Sequence, residues 1–145
     1  QGFSEEVIKS YQAVGIRLLY GRGFADTGAQ FGWAEKEEME SIKKIEKDVR
    51  YICEKYHNKE DGMIQIWLAP SAIWLCTIDC LLAMKNLSEE YGLSMTSHIS
   101  ETMFDREVSI KLHGMTDIEV CEKLEILNKK FLMVHCVYLN KKDIS

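Results

Sequence analysis

Leu93-Ser94-Met95-Thr96-Ser97-His98-Ile99-Ser100-Glu101-Thr102 runs from a short apolar segment into a histidine with a carboxylate three residues on. Leu93 to Ser97 reads as a strand, and a helix passing through Phe104 to Leu112 follows it. Phe131 to Val134 repeats the arrangement, a brief apolar strand that runs into His135. In a parallel α/β protein the loops at the C-terminal ends of the strands converge on one face, and chemistry is kept there. Two histidines at two strand ends therefore point to one shared site.

The remaining segments extend this alternation in both directions. Ser4 to Val14 predicts a helix, with Ser4 as its cap, Glu5 and Glu6 in its first turn and Gly15 as its stop. Ile16 to Tyr20 predicts a strand that passes into the Gly-rich stretch Gly21 to Gly28, whose glycines permit tight turns and close approach and which lacks the Gly-Lys-Ser/Thr of a phosphate loop. Glu35 to Tyr56 predicts a long amphipathic helix, because Met39, Ile42, Ile45, Val49, Ile52 and Tyr56 recur at three- and four-residue steps. Met63 to Ala69 predicts a strand buried on both faces and ended by Pro70. Thr77 to Gly92 gives a capped and stopped helix, and a further helix is expected from about Asp117 to Leu127. Lys141 to Ser145 begins another. Four strand-to-helix alternations predict right-handed crossovers and a parallel sheet, compatible with a doubly wound sheet or an eight-stranded barrel.

Composition narrows the function classes. The chain has 145 residues, 46% of them hydrophobic and 28% charged, with a net charge of −5. That size suffices for a sizeable core. An acidic chain whose lysines alternate with glutamates offers no basic stripe, so no nucleic-acid partner is expected. The apolar stretch from Met63 to Met84 is interrupted by Gln65, Pro70, Ser71, Thr77 and Asp79, so no membrane span is expected either. The five cysteines form no Cys-x-x-Cys pair, and Cys76 with Cys80 lacks a second close pair. Free thiols and a polar, acidic start from Gln1 to Glu6 lead to the expectation of a cytoplasmic protein without a leader.

Spacing alone leaves two readings of the histidines. A neutral imidazole suits zinc or iron, and a nearby carboxylate moves protons. Equally, His98 matches a histidine bonded to backbone, with Glu101 as the acidic residue of a helix start. His135 after an apolar strand needs partners for its nitrogens if it is buried. Cys136 beside it faces the other way on a strand and reads as core. Ala69-Pro70-Ser71-Ala72-Ile73-Trp74 also follows a strand, so Trp74 reads either as the stacking wall of a ligand pocket or as loop packing. His57, in a polar turn, and His113, beside Gly114, read as surface or helix-end residues. Asp26 fits a turn.

Three motifs together resemble the amidohydrolase superfamily. The likeness is to its branch of cytosine- and guanine-deaminase-like enzymes, methylthioadenosine/adenosylhomocysteine deaminases and triazine hydrolases. The motifs are Leu68-Ala69-Pro70-Ser71, His98-Ile99-Ser100-Glu101-Thr102, and Val134-His135-Cys136-Val137-Tyr138-Leu139 running into Asp143-Ile144. Gly15-Ile16-Arg17 and Gly21-Arg22-Gly23 are similar as well.

The resemblance implies a TIM-like (β/α)₈ metallo-hydrolase barrel, of which residues 1–145 form roughly strands 3 to 6. Strands 1, 2, 7 and 8 and a β-sandwich domain would lie elsewhere. It implies one divalent metal, zinc before iron, with His98 as a ligand and His135 as a second ligand in some branches. Glu101 would act as the proton-transferring acid/base. His135 would hydrogen-bond the attacking hydroxide. Ser71 and Trp74 would contact the substrate, although relatives place a histidine where Ser71 stands. The implied activity is metal-dependent deamination or hydrolysis of an amino-substituted purine, pyrimidine or triazine by metal-activated hydroxide, in a parent expected to be a homo-oligomer. The chain departs from the pattern in having no His-x-His pair and no counterpart of the last-strand aspartate, so the expected ligand set is incomplete and residues 1–145 alone are expected to be inactive. The alternative is an inactive α/β binding or assembly module.

Overall fold

Ile64, Ile66 and Leu68 alternate with Gln65, Trp67 and Ala69, the two-residue period that turns one set of side chains to each face of a sheet. In a computed structural model of the chain, which describes residues 2–32 and 35–144, this segment is strand β2 (Ile64–Pro70). The first set is fully buried and the second only half so. The expectation of burial on both faces thus holds for one face only. Three further strands, β1 (Leu18–Phe24), β3 (Ser94–Ile99) and β4 (Phe131–His135), complete a four-stranded sheet in the order β1-β2-β3-β4, parallel throughout.

The crossovers are helical, as a parallel sheet demands. Helix α1 (Gly2–Val14) precedes β1; α2 (Ile42–Tyr56) and the single distorted turn α3 (Lys59–Gly62) join β1 to β2. Helix α4 (Ile78–Tyr91) joins β2 to β3, α5 (Met103–His113) and α6 (Asp117–Lys123) join β3 to β4, and α7 (Lys141–Ile144) follows. One continuous core lies between the sheet and these helices, built from Ile45, Val49 and Ile52 of α2, Leu81, Met84 and Leu87 of α4, and the helix-facing residues of the strands. On the other sheet face Leu19 and Leu132 are more than half exposed. No helix among the described residues is long and apolar enough to cross a membrane.

Several boundaries differ from the expectation, each for a local reason. Ser4 lies inside α1 instead of capping it, and its hydroxyl accepts a hydrogen bond from Tyr20. Strand β1 runs on past the expected Tyr20 to Phe24 and absorbs Gly21 and Gly23, for which tight turns or close approach were expected. A Cβ on Gly21 would stand 3.2 Å from that of Ala69, so the glycine permits close pairing and not a bend.

The predicted helix over 35–56 is broken. Lys36–Glu38 is an isolated 3₁₀ turn, the Glu40 amide bonds the Ala25 carbonyl, and α2 starts only after the Ser41 hydroxyl caps the Lys44 amide. Glu40 is held there by Arg22. The guanidinium donates to both Glu40 oxygens (2.8 and 2.7 Å) and to Asp48 (3.1 Å), and all three side chains are largely buried. Helix α6 stops at Lys123, short of Leu127, with Glu125 in the left-handed region. The expected caps and stops Thr77, Gly92 and Gly114 are in place. Of the segment Lys141 to Ser145, Ser145 lies outside the described residues.

Candidate active site

Strand β3 continues past His98 to Ile99, so the turn that governs the site comes one residue later than the sequence suggested. Ser97 and Ile99 are buried toward the helices, and His98, of opposite parity, stands half exposed on the other side. Ser100 then adopts φ +43°, a left-handed conformation, and the chain doubles back with Glu101 beside His98.

His135 reaches the same place by a different route. It pairs in register with Ile99, whose side chain faces the helices, and a regular strand would aim His135 there too. Its φ of +75°, followed by +56° at Cys136, turns the imidazole over to His98 instead. Non-glycine residues in this region cost about 1–3 kcal/mol each and gather at functional sites.

The result is a three-residue cluster. His98 Nδ1 and His135 Nε2 are 2.8 Å apart, with the rings stacked at 4.9 Å and 21°. Glu101 Oε2 lies 3.5 Å from His135 Nε2 and 3.9 Å from His98 Nδ1. The donor atoms of all three fall within 4.8 Å of one another.

Beside the cluster opens a cavity of about 270 Å³, lined by His98, Glu101, Ser71, Ala72, Trp74 and Asp105 among others. Both expected substrate-contacting residues, Ser71 and Trp74, are therefore brought to the cluster. Trp74 is packed as a loop residue and also lies in the cavity lining. It is packed to 1% exposure, edge-on to Phe31 and Phe104, and its indole N–H donates to Asp105 Oδ1 at 2.8 Å while the ring walls the cavity.

Asp105 was not anticipated, although Thr102-x-x-Asp105 is a legible capping box. The Thr102 amide and hydroxyl donate to its Oδ2 at 2.6 and 2.8 Å, which fixes the start of α5 directly after Glu101.

Both remaining histidines stand at helix ends, as expected. His57 caps the C-terminus of α2 and is half-buried, its Nδ1 accepts the Ile66 amide at 3.0 Å, and burial pulls its pKa below 6.5. His113 closes α5 as expected, but its Nε2 is buried without a hydrogen-bond partner. Cys136 is half-buried and packs against the core rather than lying within it.

A second group, Asp26, Cys76 and Cys80, also brings its donor atoms within 4.8 Å. Both Asp26 oxygens are already engaged, by the Thr77 amide at 2.7 Å and its hydroxyl at 2.6 Å. A hydrogen bond with Cys80, and then burial, push the Cys76 thiol well above its usual pKa. A protonated thiol beside a satisfied carboxylate ties the β1 loop to α4 and offers poor ligands.

A parallel sheet with helical crossovers and an imidazole pair and a carboxylate at its strand ends defines the class, an α/β framework with its polar cluster at one end of the sheet. The chain belongs to the amidohydrolase family, whose profile matches residues 3–145. It is 30% identical over 143 residues to 5-methylthioadenosine/S-adenosylhomocysteine deaminase of Pyrococcus horikoshii, covering 99% of this chain and 32% of that protein. A variant of atrazine chlorohydrolase from Arthrobacter aurescens TC1, solved with zinc and atraton, superimposes with a TM-score of 0.90 at 20% identity, over 99% of this chain and 32% of that one. Guanine deaminase from C. acetobutylicum, with guanine in its active site, gives 0.86 at 23% identity over 97% and 33%. The chain therefore spans about a third of these relatives and corresponds to a segment of the amidohydrolase TIM barrel.

Proposed function

We propose that the polypeptide carrying this chain is a metal-dependent aminohydrolase that deaminates or hydrolyses an amino-substituted purine, pyrimidine or triazine. The observation that carries this reading is the convergence of His98, His135 and Glu101 at the strand ends, against a cavity walled by an indole. Two imidazole nitrogens and one carboxylate oxygen within 4.8 Å of one another suit a zinc-type ion in donor chemistry. The 2.8 Å approach of the nitrogens means that one of them carries the proton between them, and ligation requires that proton to leave. His98 would hold the ion, with His135 as a second ligand or as a donor to the nucleophile. The bound metal supplies a nucleophile near neutral pH by lowering the pKa of water.

Glu101 would take a proton from the attacking water at Oε2 and pass it to the ring nitrogen, then take a second proton from the added hydroxyl and pass it to the departing amine. Its half-exposed position, 3.5 Å from His135, suits such traffic. Trp74 orients the planar ring by stacking or edge contact, and Ser71 lines the same opening. The rest of the barrel, comprising the strands before and after this four-stranded segment and any accompanying sandwich, would supply the remaining ligands. Residues 1–145 by themselves are then inactive.

The test is ammonia release by the natural polypeptide, supplied with zinc, from 5′-methylthioadenosine, guanine and an aminotriazine, for the wild type and Glu101→Gln. The substitution should lower kcat by at least about 10²-fold, the scale of general acid/base catalysis. Unchanged turnover in the variant refutes the assigned role.

A further inference from the structure

Ser100 is wholly buried between the two residues that face the site, and every polar group it owns is engaged. Its amide donates to Asp117 Oδ2 at 2.5 Å and its hydroxyl to Asp117 Oδ1 at 2.8 Å. Its carbonyl accepts the Tyr138 amide at 2.9 Å, from the loop that follows His135. Asp117 is itself 1% exposed and stands at the first turn of α6, where its Oδ1 also accepts the Ile118 amide at 3.0 Å. Arg106 closes the group, with Nη1 at 3.5 Å from the Ser100 hydroxyl and 2.8 Å from Asp143.

A serine at φ +43° is strained, and the extended alternative would carry Glu101 away from the imidazoles. Two hydrogen bonds from one residue to a buried carboxylate offset that strain, because charge-assisted bonds are the stronger kind.

We propose that Asp117 is a positioning residue: by clamping Ser100 in the left-handed conformation, it aims Glu101 at the His98–His135 pair. The Tyr138 bond to the same peptide unit couples the clamp to the loop carrying His135. The role assigned to Glu101 rests on the reading above, whereas the clamp itself does not.

Glycine adopts φ +43° without a clamp, which gives the test its discriminating arm. In the natural polypeptide, Asp117→Ala should lower kcat for 5′-methylthioadenosine by about a hundredfold, as expected for a misplaced catalytic group, with little change in KM. Ser100→Gly introduced into Asp117→Ala should restore most of it. Asp117→Asn, which keeps one oxygen for the Ser100 amide, should fall between. Crystal structures supply a readout without substrate: the 3.5 Å approach of Glu101 to His135 should be lost in Asp117→Ala and regained in the double variant.

If Asp117→Ala retains that contact, the proposal is overturned. It is equally overturned if the double variant fails to restore the contact, which would mean that Asp117 only secures α6. If the contact behaves as expected while Glu101→Gln turns over like wild type, the clamp stands and the catalytic reading falls.

Discussion

Replacing Arg22 by methionine should destabilise the protein by about 3–5 kcal/mol, the range for breaking a buried ion pair from one side. The structure sets the magnitude. Arg22 donates to both oxygens of Glu40 and to Asp48, and its side chain and those of its partners are only 11%, 16% and 11% exposed. Without the guanidinium, two carboxylates face each other at the edge of the core, with only the exposed Lys44 left to Glu40. The sign with pH follows from Glu40, whose carboxyl the Arg22 bonds hold at about 2 instead of 4.5. That stabilisation is complete above the unfolded value and is lost as the pH falls through the folded one. In Arg22→Met the carboxylate loses this advantage and is protonated more readily. The difference between variant and wild type should therefore be largest near pH 7 and shrink as acid neutralises the carboxylates. Urea melts at neutral pH and at about pH 4, near the ordinary carboxylate value, measure it. A loss under about 1 kcal/mol, or one independent of pH, would refute the argument and mark the triad as a solvated surface pair.

Two further outcomes are expected. His57 is held neutral by burial, so its protonation favours the unfolded chain; stability should fall as the pH drops below about 6.5, and His57→Asn should flatten that fall in thermal melts. Gly28 sits at φ +106°, and a Cβ there would overlap a Leu75 methyl, so Gly28→Ala should cost about 1–3 kcal/mol in denaturant melts, and a neutral result would show that the loop relaxes freely.

Which parts were legible in the sequence follows from the range of the interactions involved. Alternation in β2, the apolar stripe of α2 and the local stops at Gly92 and Gly114 depend on near neighbours, so pattern reveals them. Helix α2 was overextended because its start is set by Glu40, drawn to an arginine eighteen positions earlier in the chain. At Gly21 the sequence allowed a tight turn or a close approach, and the partner that decides for the latter, Ala69, lies on another strand.

At the site, His98, Glu101 and His135 were legible as residues, and so was their meeting place at the strand ends. The means were not. His135 arrives by a positive φ that strand parity argues against, and Glu101 by a turn one residue beyond the expected strand end. His57 was legible as a helix-end residue, but its bond to the Ile66 amide was not, because nothing nearby in sequence announces that this amide needs an acceptor.

The bonds from the Cys136 amide to the Ile99 carbonyl and from the Tyr138 amide to the Ser100 carbonyl make the two loops above β3 and β4 one piece. For anyone recombining this chain with a homologue, that sets the crossover points. A graft of residues 99–106 alone would import a loop whose hydrogen-bonding complement stays behind at 117 and 136–138. The heritable module is the three segments together, and chimaeras that exchange them as a set should retain a formed site where single-loop exchanges do not.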